Sequence, residues 1–225
     1  MPEILFQDEH LLIVNKPAGL LSVPGRGEDK QDCLSARIQQ LFPDTLVVHR
    51  LDMATSGLMV FARGEAMQRE LSRMFQDREV TKRYVALVAG MLENEVGEID
   101  LPLIVDWPNR PKSKVDHESG KHSLTRYRLL GVEASSSRAN NGASFDTASP
   151  TQDERETIVS RVELEPITGR THQLRLHLAS IGHSIIGDTL YDGRKAERLM
   201  LHATHLAFDH PITAKPLYFQ SDAPY

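Results

Sequence analysis

The chain has 225 residues and a net charge of −5, and its 40% hydrophobic and 25% charged residues are the balance of a globular protein with a proper core. A single cysteine, Cys33, excludes an internal disulfide, and no apolar run approaches the roughly 20 residues that cross a bilayer. The first ten residues carry acids and no basic cluster, so we predict no secretory signal. With a single cysteine, the cytoplasm is the expected compartment. We also expect a monomer.

The first predicted elements are two short strands within residues 4–14, where apolar runs surround a polar turn. A Lys-Pro-Ala-Gly turn follows at 16–19, and we interpret it as architecture that shapes one wall of a cleft. Asp32 is the predicted N-cap of a helix over 33–41, which carries apolar residues at helical spacing.

Residues 46–62 contain two apolar runs around the polar insert His-Arg-Leu-Asp-Met-Ala-Thr-Ser-Gly at 49–57. Such runs predict two strands joined by a tight loop. Residues two apart on a strand share a face, so Arg50 and Asp52 could project together into one cleft. From the residues alone, a structural Arg-Asp pair at the end of a strand, or a solvated turn, is the commoner interpretation of such a carboxylate.

A helix over 65–77 and a strand over 80–90 come next, the latter with the string Lys-Arg-Tyr-Val-Ala around Tyr84. Short strands are then predicted within 98–105. The loop 106–114 brackets Trp107 with prolines and basic residues, a composition suited to base stacking with phosphate contact. The alternative is a Trp that anchors the loop to the core.

Charge is unevenly distributed, because the stretch 107–128 is locally basic although the chain is acidic. It holds six basic residues against two acids: Arg110, Lys112, Lys114, Lys121, Arg126 and Arg128 against Asp116 and Glu118. A phosphate-facing surface and a merely solvated basic face are both consistent with this pattern.

A strand is predicted over 124–132. It is followed by a Ser/Asn/Ala-rich stretch at 134–153 that we predict to be a flexible insertion. A strand resumes over 157–164. Thr171 then caps a predicted helix within the string Gly-Arg-Thr-His-Gln-Leu-Arg, and short strands follow. The histidine spacings do not match a zinc site, so we predict no metal.

Three of these strings, in this order, resemble the motifs of the RluA family of pseudouridine synthases. They are His-Arg-Leu-Asp-x-x-Thr-Ser-Gly, Lys-x-Tyr-x-Ala and Gly-Arg-Thr-His-Gln-Leu-Arg, and the Lys-Pro-x-Gly turn fits as well. The Leu-Pro-Leu-Ile string before the basic loop is similar to the branch from which the family takes its name. That branch modifies both a large-subunit rRNA hairpin and tRNA anticodon stem-loops.

The resemblance implies an α/β (α+β) fold with a mixed, largely antiparallel sheet flanked by helices and loops. It implies a single catalytic domain over 1–225, without the separate N-terminal RNA-binding domain of other members. Isomerisation needs no redox change and no net hydrolysis, so no cofactor is expected. A nucleic-acid N-glycosidase and a non-catalytic RNA-binding protein are the alternatives.

The resemblance also implies roles for individual residues. Asp52 would be the nucleophile, Tyr84 would stack on the uracil, and Arg170 would pair with Asp52 and keep it ionised. Arg50 would occupy the space of a flipped-out base. The expected RNA-contacting residues are Arg50, His49, Trp107, Arg110, Lys112, Lys114, His172 and Arg175.

Overall fold

The computed structural model describes residues 2–134 and 158–225. The chain divides into two compact units, Met1–Val85 with Leu201–Tyr225, and Ala86–Met200. Strand β5 (Thr81–Ala89) begins in the first unit and ends in the second. The single catalytic domain over 1–225 stays a prediction.

The first unit is a sheet with two helices. The elements are β1 (Glu3–Gln7), β2 (Leu11–Lys16), a 3-10 turn (Glu28–Lys30), α1 (Leu34–Gln39), β3 (Thr45–Val47), β4 (Ser56–Arg63), α2 (Glu65–Gln76), β11 (Leu201–Asp209) and β12 (Pro216–Gln220). The strands lie in the order β1-β2-β4-β11, with β3 beside β4 and β12 beside β11. The pair β4–β11 is parallel, whereas β1–β2, β2–β4, β3–β4 and β11–β12 are antiparallel.

The core of the first unit lies on both faces of β2 and β4. Alternate residues of a strand face opposite ways, so Leu11 and Ile13 join the cluster with residues of α2. Leu12 and Val14 join the other cluster, with residues of α1. Burial on both faces explains why these strands read as unbroken apolar runs rather than as an alternation.

The second unit is built on a long antiparallel pair, β9 (Leu124–Ala134) with β10 (Ile158–Pro166). Strand β6 (Val96–Asp100) pairs with the other edge of β9. On β10 the buried Ser160, Val162 and Leu164 alternate with charged residues, so this part of the sheet buries one face. A separate hairpin joins β7 and β8. The elements are β6 (Val96–Asp100), β7 (Leu103–Val105), β8 (Ser113–Val115), β9 (Leu124–Ala134), β10 (Ile158–Pro166) and α3 (Gln173–Ser180).

This mixed α+β architecture, with antiparallel pairs dominating, confirms the predicted fold class. Both predicted helix caps were wrong by one residue. Cys33 is the N-cap of α1, because its Sγ accepts from Ala36 N at 3.4 Å while the Asp32 carboxylate pairs with Arg37. His172, rather than Thr171, is the N-cap of α3. Apart from Ala134 in β9, the predicted insertion at 134–153 lies outside the described residues.

Candidate active site

The loop 48–55 joins β3 to β4 and carries Asp52, which is partly buried. Thr55 N donates to Asp52 O at 3.1 Å and closes a turn that redirects the chain into β4. The loop is thus a tight, hydrogen-bonded connection, and Asp52 lies at its middle.

Segment 16–22 donates two hydrogen bonds to Met53, the residue that follows Asp52. Lys16 is fully buried, and its ammonium donates to the carbonyls of Pro17, Leu20 and Met53 at 2.9, 2.7 and 3.1 Å. Gly19 N also donates to Met53 O, at 2.8 Å. A buried ammonium is costly unless it is hydrogen-bonded, so the carbonyls that surround Lys16 explain how it is tolerated there. That this turn shapes one wall of a cleft stays a prediction, and these contacts are consistent with it.

The Thr-Ser-Gly end of the loop is held by β11. The backbone of Gly57 has φ +115°, and a Cβ there would lie 2.4 Å from Ala203 O, so only glycine fits this approach of two parallel strands. Ser56 Oγ hydrogen-bonds His202 Nδ1 at 2.7 Å, and His202 Nε2 hydrogen-bonds Ser221 Oγ at 3.0 Å. The loop therefore enters β4 in one register.

His49 and Arg50 precede Asp52 and differ sharply in environment. The His49 ring stacks on Phe75 with centroids 4.4 Å apart, and its Nε2 accepts from Val60 N at 3.1 Å. Burial, with the positive charge of Lys82, lowers the pKa of His49 to about 3. The neutral His49 ring is therefore used in packing and in a backbone hydrogen bond that support the loop. These contacts do not favour the RNA contact predicted for His49. Arg50 is exposed, as a residue that inserts into RNA needs to be.

Tyr84 on β5 is partly buried and packs against the apolar cluster that includes Leu51. Burial raises the pKa of Tyr84, and the negative charge of Asp52 raises it further. The phenol is therefore protonated at neutral pH, and it lies within electrostatic reach of the Asp52 carboxylate. Of the three predicted catalytic residues, the first unit contains these two, and it brings them together.

The second unit holds Arg170 between β10 and α3. Arg170 N donates to Gln173 Oε1 at 3.0 Å, and the exposed side chain places Nε 3.5 Å from His122 O. That contact is long for an N–H···O bond and leaves most of the guanidinium facing solvent. The side chain is thus available to a carboxylate or a phosphate.

Arg175 and His172 belong to the same string but point to other partners. Arg175 is 4% exposed and forms a bidentate ion pair with Asp188, both N···O distances being 2.7 Å. Burial raises the pKa of Asp188, but Arg175 and backbone N–H groups lower it by more, so the carboxylate is ionised. His172 Nδ1 hydrogen-bonds the Tyr191 hydroxyl at 2.9 Å. The RNA contacts predicted for both residues stay predictions, and the burial of Arg175 does not favour its contact.

The loop between β7 and β8 presents the predicted basic residues. Trp107 is 66% exposed, so it does not anchor the loop to the core, and the Arg110 guanidinium lies 4.3 Å from its ring centre. Asp106 N donates to Lys112 O at 2.9 Å and closes the loop. Lys114 lies in β8 and pairs with Asp116 at 3.0 Å, so its ammonium already has a carboxylate partner that a phosphate would have to displace or share.

This hairpin is tied to the segment that carries Arg170, inside the same unit. Ser113 Oγ donates to Thr171 O at 3.1 Å, and Ser113 N donates to the Tyr191 hydroxyl at 2.8 Å. Tyr191 in turn meets His172, so the basic loop and the Arg-Thr-His string share one hydrogen-bonded support.

Neither Lys16 nor His202 was predicted to hold the Asp52 loop. A lysine at the end of a strand is ordinarily solvated, and only the tertiary structure shows it buried. In the described ranges, no group of three or more His, Cys, Asp or Glu side chains is arranged to hold a metal ion. No helix of these ranges is long and apolar enough to cross a membrane.

Comparison with known proteins bears directly on this site. The family model for RNA pseudouridylate synthases matches residues 10–180, which include the Asp52 loop, Tyr84 and Arg170. The chain is 45% identical over 226 residues to the dual-specificity RNA pseudouridine synthase RluA of Yersinia pestis, covering 99% of both chains. It is 44% identical to the protein of the same name from Escherichia coli strain K12, covering 99% of this chain and 93% of that one.

Solved structures show the same relation. The human RNA pseudouridylate synthase domain-containing protein 1 superimposes with a TM-score of 0.77 at 27% identity, covering all of this chain and 84% of that one. Human domain-containing protein 4 superimposes with a TM-score of 0.73 at 24% identity, covering 99% of this chain and 88% of that one, and shows the same fold. With a family model that matches most of its length and relatives this similar from end to end, the chain belongs to the RNA pseudouridylate synthase family, a family of isomerases.

Proposed function

We propose that this protein converts specific uridines to pseudouridine in a large-subunit rRNA hairpin and in tRNA anticodon stem-loops. The dual specificity is that of the relatives it matches over their full length. The observation that carries the chemistry is the tightly held loop that presents Asp52 beside Tyr84. We further propose that it acts as a single catalytic domain and a monomer, in the cytoplasm where these RNAs are found.

Asp52 is the proposed nucleophile. Its carboxylate forms a bond to either ribose C1′ or uracil C6, the glycosidic bond breaks, and the uracil turns and rejoins the ribose through C5. The bond to Asp52 also breaks, which regenerates the carboxylate, and C5 loses its proton. A nucleophile must meet its target at a defined angle, and the hydrogen bonds on Met53 and Thr55 restrict the loop accordingly. Arg170, by analogy with the family, pairs with the carboxylate.

The target base must leave the stack before Asp52 can reach it. Arg50 is exposed two residues before the nucleophile, and we assign it the role of filling the vacated space. We assign phosphate and base contacts to Trp107, Arg110 and Lys112 of the β7–β8 loop. An exposed indole with a guanidinium on one face can stack on an unpaired base, and this is the kind of contact that single-stranded RNA offers.

Tyr84 has two proposed tasks. It stacks on the uracil, and late in the reaction it accepts the C5 proton as the phenolate, after its hydroxyl proton has passed to water. A raised pKa makes a phenol reluctant to ionise, yet one of its two causes is the negative charge of Asp52. That charge disappears once the carboxylate is covalently bound. If attack is at C6, the carboxylate is still covalently bound when C5 loses its proton, so the contribution of Asp52 to the raised pKa of Tyr84 is absent at the stage at which a base is required. If attack is at C1′, the carboxylate has been released by then and this advantage is lost.

We expect Tyr84→Phe to lower the rate by about 10²-fold, because the ring still stacks but the hydroxyl is lost. Affinity for RNA stays within about twofold, since general acid–base groups act on the rate rather than on binding. Tritium release from C5-labelled uridine, with filter binding in parallel, measures both. Tyr218→Phe, on the exposed Tyr218 of β12, is the matched control. A fully active Tyr84→Phe variant would leave stacking as the only role.

The substrate proposal is tested by mapping pseudouridines in rRNA and tRNA from cells that lack the gene. We expect sites in both RNA classes to disappear, and to return with the wild-type gene but not with one encoding Asp52→Asn. Loss in a single class would contradict dual specificity. In a purified reaction, free uracil would indicate the N-glycosidase instead, and binding without tritium release would indicate a non-catalytic RNA-binding protein.

A further inference from the structure

Ser22 meets the residue that precedes Asp52 with two hydrogen bonds from one hydroxyl. Its Oγ donates to Leu51 O at 2.6 Å and accepts from Leu51 N at 3.1 Å. Ser22 is 3% exposed and Leu51 is 6% exposed, so water has little access to these groups. A single side chain thus satisfies both backbone polar groups of the residue next to the proposed nucleophile.

The geometry of this contact bears on Asp52 itself. The carbonyl of Leu51 belongs to the planar peptide unit that also contains Asp52 N. A hydrogen bond to that carbonyl fixes the orientation of the plane, and the bond from Leu51 N fixes the plane before it. With two successive planes held, the backbone has little freedom to redirect the Asp52 side chain.

Ser22 is itself firmly supported, which a positioning group needs to be. Ser35 N donates to Ser22 O at 3.1 Å, and Leu34 N donates to Leu21 O at 2.8 Å. These donors belong to the first turn of α1, whose N–H groups have no partner within the helix. Residues 21–22 therefore supply the acceptors for the first two N–H groups of α1, and α1 in turn holds Ser22 in place.

The other side of Asp52 is held by the same stretch of chain. Met53 O accepts from the ammonium of Lys16 and from Gly19 N. Residues 16–22 thus bracket Asp52, with Ser22 on the residue before it and Lys16 on the residue after it. These hydrogen bonds fall on the backbone of Leu51 and Met53, and none of them is made by the Asp52 carboxylate.

We propose that Ser22 is a positioning residue for catalysis, and that its hydroxyl sets the angle at which Asp52 meets the flipped uridine. The proposal rests on the nucleophilic role of Asp52. It requires a small side chain that is both donor and acceptor, which serine provides and alanine does not. Loss of the hydroxyl acts on the rate of the chemical step, because it moves the nucleophile and touches no RNA.

The Ser22→Ala variant tests this directly. We expect its single-turnover rate to fall by about 30-fold or more, since misplacement of a reacting group by about 1 Å can cost 10²-fold, while the dissociation constant for RNA stays within about twofold. Ser160→Ala is the matched control, because Ser160 is also fully buried and donates to a backbone carbonyl, Gly90 O, at 2.8 Å. The control loses a similar hydroxyl and keeps its rate within about twofold.

A second pair of variants separates the hydroxyl from packing. Threonine and valine have nearly the same shape, and only threonine keeps the hydroxyl. We expect Ser22→Thr to exceed Ser22→Val in rate by about tenfold or more, at equal affinity for RNA. This comparison also decides the matter if Ser22→Ala does not fold.

Two outcomes would overturn the proposal. One is a wild-type rate in folded Ser22→Ala, and the other is equal rates in the threonine and valine variants. An Asp52→Asn enzyme measured beside them keeps the two proposals apart. An active Asp52→Asn enzyme would reject the nucleophile, whereas an inactive one together with a fully active Ser22→Ala would reject only the role of Ser22.

Discussion

We expect the Asp52→Asn variant to lose turnover by at least about 10⁴-fold while it still binds RNA, because removal of a covalent nucleophile costs this order of rate or more. The amide has the shape of the carboxylate but is a poor nucleophile and carries no charge. The loop should keep its conformation, since the bonds on Met53 O and the Thr55 N to Asp52 O bond are made by backbone groups that the substitution leaves in place.

Tritium release from C5-labelled uridine in RNA measures the rate, and filter binding measures the affinity. Asp32→Asn is the matched control, because Asp32 is an exposed carboxylate of the same unit whose partner is Arg37. Exposed ion pairs contribute little to stability, so this control should keep full activity. Turnover retained by Asp52→Asn would refute the nucleophile assignment.

The second large effect is expected from Arg170→Lys, which we predict to lower the rate by about 10²-fold, on the order of the loss of one electrostatic contact in a transition state. Lysine keeps the charge but lacks the planar fork with which a guanidinium meets both oxygens of a carboxylate. Folding should be little affected, because the side chain is exposed and its one described hydrogen bond, to His122 O, is 3.5 Å long.

Single-turnover rates and thermal unfolding together separate these effects. Arg126→Lys is a suitable control, since Arg126 is an exposed arginine of the second unit that pairs with Glu98 at 2.8 Å. Its rate and melting temperature should match those of the wild type. A near-wild-type rate in Arg170→Lys would argue that Arg170 does not orient the nucleophile.

Much of the fold follows from local pattern. The apolar runs at 11–14 and 58–62 predict strands, and the structure buries both faces of each. The N-cap of α1 was missed because capping there depends on which side chain reaches a free N–H, whereas the N-cap of α3, His172, makes no side-chain capping bond. At α1 the Asp32 carboxylate turned instead to Arg37, five residues along the chain. Competition between partners of this kind is invisible in a linear pattern.

The string Gly-Arg-Thr-His-Gln-Leu-Arg shows the same limit at the site. Its two arginines look equivalent in sequence, and both were predicted to be functional. The structure leaves Arg170 exposed and buries Arg175 on Asp188. The difference arises from position on the fold, because Arg170 precedes α3 while Arg175 lies within its buried stretch.

The sequence by itself determined the family, the strands on either side of the reactive loop and the identity of the acid at its centre. Each of these depends on a short stretch of consecutive residues, so the linear sequence is enough to specify it. The tertiary structure decided what holds that acid in place: the Ser22 hydroxyl on Leu51, 29 residues away, the buried ammonium of Lys16, and a histidine 146 residues from the serine it meets. Spacing along the chain carries no information about such partners, because burial and hydrogen bonding are set by whichever distant segments the packed core brings together.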